Sequence, residues 1–154
     1  MKFDEESMNE IFSTLLCPGE VSLYPIYAVM PKTEYELTFD TSSLVYVTYT
    51  NQDRLIIVKL ESLTLDAKIS ESLILSEAVK KTVEMKPFGI YSAFFRYETE
   101  IGTIRFTLNA SPKTYKGAFP HQTENVKKLF NHIAGGFIRY SEDDFSDGPF
   151  TFSY

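Results

Sequence analysis

From Val21 to Ala110 the chain reads almost entirely as β-strand, and so much strand needs an apolar partner for the face its sheet presents. One later segment is patterned for that task. Val126, Leu129, Phe130 and Ile133 recur at i, i+3, i+4 and i+7, which lines them along one side of an α-helix. Pro120 suits the helix entrance and Glu124 the positive end of its dipole. Lys127, Lys128 and His132 lie towards the negative end, and Gly135 supplies a left-handed stop. The expected architecture is mainly β with α: a bent antiparallel barrel over 17–135, capped by this C-terminal helix.

The strands differ in clarity. Val21, Leu23, Ile26, Tyr27 and Val29 form a β-prone run in which Pro25 marks an edge or a bend. Thr33, Tyr35, Leu37 and Phe39 alternate with Glu34, Glu36 and Thr38. Leu44 to Thr50 and Arg54 to Leu60 flank Asn51-Gln52-Asp53, a hairpin signal, and the unbroken Ile56-Ile57-Val58 places the second of these strands centrally. Residues 61–86 admit two readings, because Ser76 to Met85 fits a short helix or a strand; strand with connecting turns is preferred. Ile90 to Glu98 and Thr103 to Asn109 form a clear hairpin turning near Ile101-Gly102, with Ile104, Phe106 and Leu108 on one face.

Two flanking segments complete the chain. Met8, Ile11, Phe12, Leu15 and Leu16 share a helical face behind a candidate N-cap, Asp4, so 1–16 is expected to be an amphipathic helix packed on the domain. Cys17-Pro18-Gly19 ends it. Residues 136–154 form an acidic tail with more aromatics than a disordered one carries, expected to lie partly against the domain or a second copy, with a last short strand.

Net charge and motifs narrow the chemistry. A charge of −6 opposes a dedicated nucleic-acid binder, which needs a cationic surface, and weakens attraction to an anionic membrane. No apolar run approaches the roughly 20 residues that span a bilayer, and the acidic start lacks the basic and apolar regions of a signal peptide, so a cytoplasmic location is expected. His121 and His132, if on one helix, stand about 16 Å apart, too far to share a metal ion. Cys17, the one cysteine, follows two leucines and is expected to be a packed, inert thiol. Asp143 to Gly148 brushes against a calcium loop but offers Phe145 and Tyr154 where that loop needs acidic ligands. No nucleophile, metal cluster or acid–base pair stands out, so no enzyme, metal or cofactor is expected. The one candidate contact site is cationic: Lys113, Lys116, His121, Lys127 and Lys128, opposed over 113–128 only by Glu124, with Lys80, Lys81 and Lys86 as possible additions.

Several stretches in order resemble the bacterial pleckstrin-homology-like (PH-like) domains. They are Leu16-Cys17-Pro18-Gly19-Glu20, Thr50-Asn51-Gln52-Asp53-Arg54-Leu55-Ile56, Leu75-Ser76-Glu77-Ala78-Val79, the hairpin from Gly89 to Asn109, and Asn125-Val126-Lys127-Lys128-Leu129-Phe130. The resemblance covers 16–134; the longer 61–86 region and the tail depart from it. It implies a seven-stranded, strongly bent barrel plugged at one end by the last helix, in a superfamily that binds peptides, lipids or other domains by different faces. The expected role is a non-catalytic binding or scaffolding domain that recognises a protein or peptide segment or another copy of itself. An apolar-ligand carrier and an anionic-lipid or phosphate binder are the alternatives; no nucleic acid or obligatory small molecule is expected.

Overall fold

Asp4 starts the first helix, α1 (Glu5–Leu15): its carboxylate accepts the Ser7 N–H at 2.8 Å, and Glu5 and Glu6 occupy the first turn. Asp4→Ala is expected to lower stability by about 1 kcal/mol, read as a lower urea midpoint at unchanged slope. An unchanged midpoint would mean that the cap contributes nothing. The computed structural model describes residues 3–31, 43–60, 67–113, 117–135 and 139–140, with the backbone alone for 43, 67–71 and 139–140. The alternating stretch 33–39, Lys116 and most of the tail lie outside the described residues.

Seven strands follow α1: β1 (Ser22–Met30), β2 (Ser43–Thr50), β3 (Arg54–Leu60), β4 (Ala67–Ile74), β5 (Lys80–Met85), β6 (Tyr91–Thr99) and β7 (Gly102–Ala110). Then come α2 (Gln122–Ala134) and a two-residue strand, β8 (Arg139–Tyr140). The sheet runs β4-β3-β2-β1-β7-β6-β5-β8, antiparallel throughout except for β8, which runs parallel to β5. Two meanders, β1 to β4 and β5 to β7, are joined by one register pair, Val29 with Asn109. This is the PH-like arrangement: a bent antiparallel sheet, a C-terminal helix packed on it, and here an additional N-terminal helix.

Local chemistry accounts for the bends. Pro25 lies in a bulge of β1 between Leu23 and Ile26, where Tyr24 takes a left-handed φ of 54°. In the 61–86 region β4 leads through a single 3-10 turn (Leu75–Glu77) into β5, so the strand reading holds for Lys80–Met85.

Two apolar layers form on opposite faces of β2 and β3. Val45, Val47, Tyr49, Leu55 and Ile57 point inward, where Ala93, Phe95, Leu108 and the α2 stripe of Val126, Leu129, Phe130 and Ile133 complete the core. The α2 residues are 0% exposed, and burying each such side chain stabilises by roughly 1.5–3 kcal/mol. Tyr46, Ile56, Val58 and Leu60 point the other way and are covered by Met8 and Phe12 of α1 together with Phe119. The Ile56-Ile57-Val58 run is thus buried on both faces because a helix lies on each.

Gly135 closes α2 in the left-handed conformation, φ 66°, as the sequence suggests. At its other end Gln122, 1% exposed, takes over where β1 and β7 part. Its Oε1 accepts the Tyr27 N–H at 3.2 Å, and its Nε2 donates to the Tyr27 and Ser111 carbonyls at 2.9 and 3.0 Å. A side-chain amide here replaces a missing piece of strand ladder.

Candidate interaction surfaces

The strongest polar cluster sits behind α1. Glu20 is buried; its carboxylate takes Arg54 Nη2 at 2.5 Å and Nε at 3.0 Å, the Thr50 hydroxyl at 2.6 Å and the Cys17 N–H at 2.8 Å. Arg54 also donates to the Leu15 carbonyl at 2.9 Å, so a cation closes the negative end of α1. The Arg54 hydrogen bonds hold the Glu20 carboxyl at about 2, against burial that pushes it up. With every oxygen occupied, this is a clasp between helix and hairpin. Cys17 itself is exposed, which corrects the expectation of a packed thiol. The chain turns outward after Leu16, and the backbone of Cys17, not its sulfur, serves the clasp.

A second cluster surrounds the β2–β3 turn. The Tyr49 hydroxyl donates to Asp53 Oδ1 at 2.7 Å, and Asp53 Oδ2 accepts the Ser76 N–H at 3.0 Å. Burial, aided by the Asp53 carboxylate, pushes the Tyr49 phenol up to about 12. His132 lies with its ring 4.4 Å from that of Tyr49. Among the described residues no three His, Cys, Asp or Glu side chains are grouped to hold a metal ion.

Two of the five cationic residues singled out from the sequence are paired with carboxylates. His121 stands at the N-cap of α2, with Nδ1 at 2.9 Å from Glu5 of α1. Lys128 pairs with Glu124 one turn back at 2.5 Å. Lys113 and Lys127 are exposed, and Lys116 lies outside the described residues. Glu5 therefore joins Glu124 in opposing this cluster, a neighbour that sequence order hides.

Two features of β5 carry more. Its outer edge pairs with β8 only at Glu84 and Met85, opposite Arg139 and Tyr140, so Lys80–Val83 have no strand partner on that side among the described residues. α2 packs against β5 from within. On the outer face, Lys80 stands directly opposite Arg96, and Arg96 directly opposite Arg105. Lys80 and Arg105 are exposed, and the Arg96 side chain is 40% exposed. The sequence reading missed this row because only strand register brings the three together. The β6–β7 register pairs Arg96 with Arg105, and β5 adds Lys80.

No family model matches the chain, and no curated protein is significantly similar to it. Among solved structures the chain is similar to the hSac2 domain from human phosphoinositide phosphatase Sac2, with a TM-score of 0.52 and 11% identity over 92% of each chain. At that identity the likeness concerns the fold alone. No helix among the described residues is long and apolar enough to cross a membrane.

Proposed function

We propose that the chain is a non-catalytic binding domain, akin to the bacterial PH-like domains, which takes an extended protein segment as an added strand on the β5 edge. The observation that carries this reading is β8: the chain lays Arg139–Tyr140 of its own backbone against that edge, and among the described residues the adjoining Lys80–Val83 have no strand partner there. An edge already used for pairing presents N–H and C=O groups ready for more, and alternate side chains of the incoming strand supply specificity.

The alternatives draw less support. An apolar ligand would have to displace the Phe95, Phe106, Leu108 and Phe130 side chains that fill the interior. Anion capture by Lys113, Lys116, His121, Lys127 and Lys128 competes with the Glu5 and Glu124 pairs. The phosphoinositide phosphatase in which the similar hSac2 domain occurs does not favour a lipid over a peptide here.

Selection from a phage-displayed random dodecapeptide library, followed by amide hydrogen exchange with a selected synthetic peptide, tests the reading. Protection is expected to rise at Lys80–Val83. Protection confined to another surface, or no enrichment of any sequence, rejects strand addition at β5.

A further inference from the structure

Like charges placed directly opposite across neighbouring strands repel, and a sheet selected for stability alone avoids them. Lys80, Arg96 and Arg105 form such a row across β5, β6 and β7, in a protein of net charge −6. With neighbouring strands about 4.8 Å apart, the row runs about 10 Å inward from the β5 edge. One counter-charge lies beside the row: Glu98, whose Oε1 is 3.5 Å from Arg96 Nε and whose Oε2 accepts the Thr103 hydroxyl at 2.7 Å. Arg96 Nε is shielded from solvent and makes no hydrogen bond among the described residues. Arg96 nonetheless keeps 40% of its side chain exposed, beside two further cations. Phe94 lies half-buried on the same face, between Thr82 and Thr107 in the adjacent row.

We infer that the segment taken by β5 is acidic, and that where it passes off the edge at Lys80 its carboxylates are held in turn by Lys80, Arg96 and Arg105. The inference rests on the strand-addition reading and gives its partner a chemistry. Arginine suits this use: its planar fork binds a carboxylate through two N–H groups, and Arg96 and Arg105 present two forks side by side. A carboxylate between two cations also removes their mutual repulsion, so binding relieves a cost built into the free domain.

Fluorescence anisotropy with a labelled decapeptide of alternating Glu and Val, beside its Gln/Val counterpart, provides the test. The acidic peptide is expected to bind at least about tenfold more tightly, with a preference that falls as salt rises. The Arg96→Gln/Arg105→Gln double variant is expected to lose that preference while its Tm stays level or rises by about 2 °C, since a repulsion has gone. Equal binding of the two peptides, or an unchanged preference in the double variant, overturns the inference. If the Gln/Val peptide protects Lys80–Val83 from exchange and the acidic one gains nothing, strand addition stands and the acidic partner falls. If the acidic preference depends on the row but no β5 amide is protected, the row stands and strand addition falls. Binding of neither peptide rejects both. Row-dependent binding to phosphatidylserine vesicles without acidic-peptide binding assigns the face to a membrane and also overturns the inference.

Discussion

Replacing Glu20 by alanine is expected to lower the free energy of unfolding by about 3 kcal/mol, because it removes one half of a buried, multiply hydrogen-bonded ion pair. Thr50, Cys17 and Arg54 all lose an acceptor at once. The figure stays moderate because the Arg54 side chain is 21% exposed and can turn towards water. The same carboxylate gives stability a pH dependence. Its folded value of about 2 lies below the ordinary 4.5, so its contribution is complete above about pH 4.5 and is lost as pH falls towards 2. After allowance for solvent around Arg54 that contribution is about 2 kcal/mol. Urea unfolding at pH 7, 4 and 3 should show wild type losing stability along this limb, with a shallower fall in Glu20→Ala. Parallel pH profiles for the two proteins would show that the clasp does not hold the hairpin to α1.

Gln122→Leu is expected to cost about 3 kcal/mol despite its similar volume, since the Tyr27 N–H and the Tyr27 and Ser111 carbonyls are left buried with fewer partners or none. These are the groups that bridge the gap where β1 and β7 diverge. Denaturant titration gives the size of the loss, and amide exchange gives its place: Tyr27 and its neighbours on β1 should exchange faster than the β5–β6 ladder. A variant as stable as wild type, with uniform exchange, would show that the joint between the meanders is held by the apolar α2 stripe alone.

Where local pattern and final environment coincide, the sequence was enough. Val126, Leu129, Phe130 and Ile133 are buried as their spacing requires, Gly135 is left-handed, and Asn51 to Asp53 turns a hairpin. Other residues take their role from partners remote in the chain. Glu20, after a proline and a glycine, has the look of a solvated turn residue and is instead buried by Arg54. The helix on the far side of Ile56 and Val58 leaves no mark in their own sequence beyond the absence of alternation. Lys80–Met85 alternates poorly because its first residues are exposed on both parities, which obscured both the strand and the cationic row that it completes. His121, set in sequence against Glu124 alone, has Glu5 of α1 beside it as well.

The two-sided cover of β3 bears on synthesis from the ribosome. Every contributor to the outer layer except Phe119 and its neighbour Ala118 lies within residues 3–60, in or beside α1 or in the first three strands, so most of that layer is complete early. The inner face of the same strands waits for β6, β7 and finally α2. During elongation, at about 5–20 residues per second, the nascent first meander is therefore largely covered on one side and bare on the other for several seconds. That interval is when a chaperone would find its hydrophobic surface, and α1 reduces the area on offer.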